Sequence, residues 1–186
     1  KQILIRDFKN DTLISASELN TSILNFKNLY NGKLNFGDID LEDLVINIIT
    51  YKGETDTNLD VFVARFDDDN PRDEQRDFLL SSSDVSVYNG TFNLIDENKE
   101  TPQILKFTDL GINATNFVIN GSDVDARINT LGFVDSRGLV MQNMSTNFKY
   151  TLSEMRFDNL NMKTKQSTLK GNLRFDYVRE DFENFV

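Results

Sequence analysis

Apolar and polar residues alternate at every second position along three segments in the second half of the chain. The apolar positions of these segments are Val124, Ala126 and Ile128; Phe148, Tyr150 and Leu152; and Leu173, Phe175 and Tyr177. Because successive side chains of a β-strand point to opposite faces, each segment predicts a strand with one apolar and one polar face. We therefore predict that these nine residues lie on the apolar faces of strands.

The N-terminal part of the chain mixes helix and strand patterns. Residues 21–31 and 56–66 carry apolar residues at helical spacing, which predicts two short helices. Asp56 or Thr57 can cap the start of the second helix. Residues 44–51 form the most strongly β-forming stretch of the chain, so we expect this segment to be the most buried strand.

From residue 78 onwards the pattern predicts only strands and turns. Asn89-Gly90 and Asn120-Gly121 each separate two alternating segments, and Asn-Gly pairs favour tight hairpin turns. Further loops are predicted at residues 98–102 and 131–138. Strands would then recur about every 8–12 residues, which is typical of an antiparallel meander, a β-sandwich or a β-solenoid.

The chain lacks the residues on which most catalytic and metal sites depend. It contains no His and no Cys, and these residues supply the commonest general base, the usual thiol nucleophile and the best zinc ligands. The acidic residues at 67–74 have neither the spacing nor the glycine of an EF-hand loop, so we interpret them as a solvated loop rather than a calcium site. We therefore predict a non-enzymatic protein with no catalytic residue, no cofactor and no metal.

Charge and composition narrow the possible partners. The formal net charge of the 186-residue chain is −10, which argues against binding to nucleic acid and against stable docking on an anionic lipid surface. The hydrophobic content of 39% is below the globular average and fits a sheet with one polar face. Two interpretations of the apolar face remain open: the core of a closed β-sandwich for adhesion or ligand binding, or a hydrophobic trough for acyl chains.

Several local elements follow one another along nearly the whole chain in a specific order. They are a strand at 13–19, a short helix leading into residues 29–36, paired strands at 39–41 and 45–48, a helix at Asn58-Leu59 after a charged break, a segment at 78–88 leading to residues 89–92, and a closing hairpin of residues 160–164 and 169–171. This order resembles the N-terminal periplasmic region of TamB proteins, in the AsmA-like superfamily, and most of all the versions from Bacteroidetes-type bacteria.

The resemblance implies a mainly β fold. We expect an elongated, twisted and mostly antiparallel sheet that curls into a groove, with one or two short helices near the N-terminus. Residues 1–76 would form a mixed β segment with short helices at the start of the groove. Residues 77–186 would continue the same groove as an antiparallel meander.

The resemblance also implies a function and a location. Such proteins are anchored in the inner membrane of Gram-negative bacteria and extend through the periplasm, where a hydrophobic groove conducts phospholipids between the two membranes. The nine residues named above would line this groove and contact acyl chains. The alternative is a scaffold for outer-membrane protein translocation and assembly, by strand pairing with a TamA-like barrel. The chain starts at Lys1 with a strand-like sequence, so we expect the membrane anchor and the barrel-binding region to lie outside it.

Overall fold

A computed structural model describes residues 1–23, 33–64, 79–121, 123–151 and 153–176, and its eleven strands form a single sheet. The strands are β1 (Ile3–Arg6), β2 (Thr12–Ala16), β3 (Glu18–Ile23), β4 (Lys33–Glu42), β5 (Val45–Thr50), β6 (Leu79–Asp96), β7 (Gln103–Asn120), β8 (Asp123–Asp135), β9 (Val140–Tyr150), β10 (Glu154–Thr164) and β11 (Thr168–Asp176), and one helix, α1 (Asn58–Ala64), follows β5. The fold is mainly β, one large open and curled sheet, as the sequence predicts.

The sheet has a regular part and a branched part. Strands β6 to β11 form an antiparallel meander, and the predicted turn at Asn120-Gly121 joins β7 to β8. On the other side of β6, strands β4 and β5 both run parallel to it, β4 along its first half and β5 along its second half. Strand β3 pairs with β4, β2 pairs with β5, and β1 pairs with β2. Strands β1, β2 and β5 therefore form one short arm and β3 and β4 form the other, and both arms pair with the long strand β6.

Two lines of backbone irregularity cross the strands. The first crease comprises Ser17 between β2 and β3, Asp43 between β4 and β5, Asn89 in β6 and Asp109 in β7. The last three residues have φ angles of 50°, 54° and 51°. Side chains link its members, because Ser17 Oγ donates to Asp43 Oδ2 (2.7 Å) and Asn89 Nδ2 donates to Asp43 Oδ1 (2.6 Å). Asn and Asp tolerate this left-handed conformation better than most residues do.

The second crease comprises Asn116 in β7 and Asn159 in β10, with φ angles of 53° and 55°. The register between neighbouring strands shifts at both positions. An extra residue on one strand of a pair bends that strand and increases its twist. The two creases are therefore the places where the sheet curls.

Two predictions are wrong: the hairpin turn at Asn89-Gly90, and residues 44–51 as the most buried strand. Asn89-Gly90 is not a hairpin turn, because β6 continues through it and only bends there. A Cβ atom added to Gly90 would lie 3.1 Å from Val87 Cγ1 and 3.2 Å from the carbonyl oxygen of Leu110, so the close approach of β7 favours glycine. Strand β5 forms where expected, but its six residues are only half-buried, because a single layer leaves both faces of a strand partly open.

Two other predictions concern local boundaries. The helix expected at 56–66 forms as α1, and Thr57 caps it: Asp60 N donates to Thr57 Oγ1 (3.1 Å) and Thr57 N donates to Asp60 Oδ2 (3.0 Å). The helix expected at 21–31 is wrong at its start, where residues 21–23 belong to β3. Residues 24–32 and the acidic segment 67–74 lie outside the described residues.

Candidate apolar groove

The register of the C-terminal strands brings most of the predicted lining residues together. Val124 lies opposite Tyr150, which lies opposite Met155, which in turn lies opposite Phe175. Residues directly opposite one another in paired strands share a face of the sheet. These four side chains therefore form one apolar row across β8, β9, β10 and β11.

A parallel row lies two residues further along each strand. Ala126 lies opposite Phe148, Phe148 opposite Phe157, and Phe157 opposite Leu173. The ring centroids of Phe148 and Phe157 are 5.2 Å apart, and those of Phe157 and Phe175 are 6.4 Å apart at nearly perpendicular planes. Such offset and edge-to-face contacts stabilise aromatic clusters.

The structure thus places seven of the nine predicted residues on one face. Ile128 joins them as the next alternate residue of β8, opposite Thr146. Leu152 and Tyr177 lie outside the described residues. The sequence analysis missed Met155 and Phe157, although residues 154–158 alternate between polar and apolar in the same way.

The longest apolar row crosses eight strands without a polar residue. Its members, each opposite the next, are Leu19, Leu41, Val87, Ile112, Leu131, Met144, Met162 and Leu169. Neighbouring strands are about 4.8 Å apart, so this row extends for roughly 34 Å. A continuous apolar path therefore runs across the strands from one side of the sheet to the other.

The apolar face continues through both creases. In β8, Val124 and Ile128 lie on one face, and they pair with Ile119 and Ala114, which lie on either side of Asn116 in β7. The extra residue at Asn116 thus keeps both segments of β7 facing the same way. A row of Leu34, Leu80, Ile119 and Val124 extends the apolar face beyond this crease to β4.

The same holds at the first crease. Ile46 lies opposite Phe92, and Phe92 opposite Phe107. The Phe107 ring lies 4.3 Å from that of Phe133. Phe133 alternates with Leu131 of the longest row, so the apolar face again extends across the bend.

The creases divide the apolar face into three parts with different residues. We call the part between them the floor, the part with Phe92 and Phe107 the first wall, and the part with Phe148 and Phe157 the second wall. The floor is largely aliphatic, and its polar residues include Thr21, opposite Ile39, and Thr146. The Thr146 hydroxyl donates to the Asp158 carbonyl oxygen (2.9 Å). The aromatic side chains of the rows above belong to the two walls.

Burial is lost at the last strand. Val87, Ala114 and Leu160 on the floor are buried, whereas all nine residues of β11 are exposed. Leu173 and Phe175 are 39% and 51% exposed. Strand β11 pairs only with β10 among the described residues, so the apolar face is most accessible at this side of the sheet.

The opposite face of the same strands is polar and internally paired. Arg156 Nη2 lies 2.6 Å from Asp158 Oδ2, and Arg174 Nε lies 2.8 Å from Asp176 Oδ1. Closer to β6, Asn113 Nδ2 donates to Asp84 Oδ1 (3.0 Å). This face is a solvated outer surface, as the alternation predicts.

A polar cluster that the sequence analysis missed lies at the N-terminal corner of the sheet, and three of its four residues are buried. We call the set of Asp7, Asp11, Tyr51 and Asn58 the corner cluster. Tyr51 Oη donates to Asp7 Oδ2 (2.6 Å) and lies 2.8 Å from Asp11 Oδ2, while Asn58 Nδ2 donates to Asp7 Oδ2 (2.9 Å). Asn58 is fully buried, and its Oδ1 accepts from Ile49 N (2.9 Å).

The corner cluster perturbs the titration of two groups. Burial raises the pKa of Tyr51, and the neighbouring Asp7 and Asp11 carboxylates raise it further. Burial alone would also raise the pKa of Asp7, but hydrogen bonds from Tyr51, Asn58 and two backbone N–H groups lower it overall. The hydrogen bonds of Tyr51 and Asn58 to Asp7 join the loop after β1 to the end of β5 and the start of α1, so we interpret the corner cluster as structural.

Neither metal-binding side chains nor comparisons with known proteins assign a function to this chain. In the described ranges no group of three or more Asp or Glu residues could hold a metal ion, and no helix of these ranges is long and apolar enough to cross a membrane. No protein-family model matches the chain, no curated protein matches its sequence, and no solved structure matches its fold. The candidate site therefore rests on the geometry of the apolar face.

Proposed function

We propose that this chain is a groove-forming segment of a TamB/AsmA-like protein, and that its apolar face carries phospholipid acyl chains. In this proposal the protein is a non-enzymatic conduit between the inner and outer membranes of a Gram-negative bacterium. It would act in the periplasm, and its membrane anchor would belong to a part of the protein outside this chain.

The observation that carries the proposal is the apolar row from Leu19 to Leu169. Burial of each methylene group from water contributes about 0.8 kcal/mol, so an apolar path of this length can hold an acyl chain without a specific polar contact. Movement along a path requires similar affinity at successive positions. A floor of aliphatic residues provides this uniformity, because no single position binds much more strongly than the next.

The proposal can be tested by identifying lipids that copurify with the protein. We expect phospholipid in the purified wild-type protein by mass spectrometry, and at least a severalfold loss in a Phe148→Asp variant. A charge at this position would lie between Ala126 and Phe157 on the second wall, and an unpaired charge among apolar groups is costly.

The matched control is Asn147→Asp. It introduces the same charge one residue away, on the outer face, opposite Arg127 and Asp158. The control should retain lipid. Equal lipid content in the wild-type protein and both folded variants would contradict the conduit, as would a wild-type protein without lipid.

A second candidate function is favoured by the exposure of β11. The nine residues of this strand are exposed and its outer edge is unpaired among the described residues, so it could pair with a strand of an outer-membrane protein or of a TamA-like barrel. Site-specific crosslinking from β11, at Asn172 for example, would capture such a strand. Crosslinks to client proteins in the absence of bound lipid would favour this scaffold over the conduit.

A closed sandwich would require a second sheet about 10 Å from the apolar rows, whereas the strands described here all belong to one sheet.

A further inference from the structure

Two neighbouring hairpin turns at the edge of the first wall carry a group of basic residues. The β8–β9 turn contains Arg137, and the β10–β11 hairpin carries Lys163, Lys165 and Lys170 at or near its turn. The register places Met141, at the start of β9, opposite Thr164, at the end of β10. The two hairpins are therefore adjacent, and their centres are about 10 Å apart at the normal strand spacing. We call these two turns with their flanking residues the basic tips.

Arg137 is held in place by a buried carboxylate. Asp135 is only 2% exposed in its side chain, and its carboxylate accepts from Arg137 Nη2 (2.6 Å), Arg137 Nε (3.1 Å) and Arg137 N (2.9 Å). These hydrogen bonds hold the pKa of Asp135 below its usual value. The Arg137 side chain is nevertheless 72% exposed, so its guanidinium is fixed at the turn and still open to solvent.

Exposed leucines accompany the cations. Leu139 in the first turn and Leu169 beside the second are 45% and 46% exposed. Residues 136–140 and 161–170 contain no Asp or Glu, in a chain whose net charge is −10. Arg137 is paired with Asp135, so the unopposed cations are the three lysines. The combination of exposed leucines and unopposed cations is typical of surfaces that contact the headgroup region of a membrane.

We propose that the basic tips dock on the surface of an anionic phospholipid bilayer. The three lysines and Arg137 face lipid phosphates, and Leu139 and Leu169 enter the boundary between headgroups and acyl chains. This proposal does not depend on the conduit function, because the lysines of the basic tips attract an anionic surface whatever the apolar face carries. Leu169 is the residue that the tips share with the row from Leu19 to Leu169.

The contrast with the neighbouring turn supports an anionic surface as the partner. The β6–β7 turn carries Asp96, Glu97 and Glu100 with a single cation, Lys99, which pairs with Asp96 (3.9 Å). Attraction to a charged membrane decays within a Debye length, about 8 Å in physiological salt. The local charge at the tips therefore outweighs the net charge of the chain, which alone argues against membrane docking.

Flotation with vesicles tests the proposal. We expect the full chain to float with vesicles in which about a third of the lipid is phosphatidylglycerol, and to remain at the bottom with vesicles of phosphatidylcholine alone. Each lysine near an anionic surface changes the binding constant about fivefold, so the triple variant Lys163→Glu, Lys165→Glu, Lys170→Glu should bind at least about 100-fold more weakly. A Leu139→Ser variant, which leaves the row from Leu19 to Leu169 intact, should bind the anionic vesicles more weakly, and the residual binding should keep the salt dependence of the wild-type protein.

The matched control reverses three exposed lysines elsewhere: Lys33→Glu, Lys52→Glu and Lys99→Glu. This variant has the same net charge as the tip variant, and it should bind vesicles almost as well as the wild-type protein. Circular dichroism and urea unfolding verify that each variant is folded.

The proposal is overturned if the two lysine variants lose binding equally, or if the wild-type protein does not distinguish the two vesicle types. It is also overturned in favour of an acidic protein partner if soluble polyglutamate binds as tightly as the vesicles and the leucine variant binds like the wild-type protein. The conduit is tested separately, because Phe148→Asp should lose copurified lipid and keep vesicle binding.

Discussion

The N-terminal corner and the C-terminal strands of the same sheet are held together in opposite ways. In the corner, Asp7 and Asn58 are buried, and Asp7 Oδ2 accepts hydrogen bonds from Tyr51 and Asn58, which are 44 and 51 positions away in the chain. In strands β8 to β11, apolar side chains contact their neighbours along rows, and many remain half-exposed. The corner depends on specific partners, whereas the rows depend only on apolar area.

The two regions therefore differ in how much structural change they tolerate. A buried hydrogen-bonded cluster admits one arrangement, because each lost partner leaves an unsatisfied polar atom. A row of aliphatic and aromatic residues tolerates changes of shape, since dispersion and burial have no direction. The proposed acyl-chain path requires the second kind of surface, and the corner supplies the rigidity from which β1, β2 and β5 extend.

The largest effect is expected from Asn58→Ala. This substitution leaves Ile49 N without its acceptor and Asp7 without one of its donors. We expect the free energy of unfolding, measured by urea titration, to fall by about 3 kcal/mol. The control is Asn172→Ala in β11, where the exposed Asn172 Oδ1 accepts from Asn159 N (2.7 Å) and water can replace it, so the loss should be below about 1 kcal/mol. Similar losses of unfolding free energy in both variants would show that the corner does not depend on specific partners more than the C-terminal strands do.

A smaller effect is expected from acid. The pKa of Asp7 in the folded protein lies below the unfolded value of 3.8. Its contribution to stability is therefore complete well above pH 3.8 and is lost as the pH falls through the lower, folded pKa. The effect is smaller than that of Asn58→Ala because the protonated acid keeps some hydrogen bonds.

The acid effect is measured as the slope of unfolding free energy against pH. Asp43 and Asp135 also have lowered pKa values, so the wild-type slope contains their contributions as well. An Asp7→Asn variant should have a shallower slope below about pH 5. If the two slopes coincide, the corner cluster does not hold Asp7 in its charged form.

Alternation predicted the faces of strands correctly where no bulge interrupts them. Val124, Ala126 and Ile128 required only the period of two, which is a local property of any strand. Asn89-Gly90 was misassigned because a hairpin turn and a bulged strand both use residues with positive φ, and Asn89 has φ 54°. The sequence alone cannot distinguish the two, since the choice depends on whether β7 lies beside the bend.

The creases and the corner cluster could not be predicted from the sequence either, because both depend on contacts between residues that are distant in the chain. Ala114 and Phe117 are three residues apart, a spacing that also fits a turn or a helix. Only the pairing with Ile128 and the rest of β8 identifies the spacing as an extra residue in a continuous strand. Asp7 and Asn58 are common polar residues in the sequence, and their hydrogen bond joins positions 51 residues apart.

A modest effect is expected from Phe157→Leu on the second wall. Phe157 is half-buried and contacts Phe148 and Phe175 through its ring. A leucine retains most of the apolar contact, so the unfolding free energy should fall by only about 1 kcal/mol. Copurified lipid should be retained, because the row stays apolar. A loss as large as that of Asn58→Ala would mean that the rows are as specific as the corner, and the distinction between them would fail.

The smallest effect is expected on the outer face, from Arg156→Gln. The side chains of Arg156 and Asp158 are both 38% exposed, and water and salt screen their 2.6 Å pair. Arg156 also lies opposite Lys149 and Arg174 on the neighbouring strands, and like charges in that arrangement repel. Loss of the pair and relief of the repulsion nearly cancel, so the unfolding free energy should change by less than about 0.5 kcal/mol at low and high salt. A larger loss that high salt removes would show that outer ion pairs hold β9, β10 and β11 together, and the apolar rows would then not be the cause of their association.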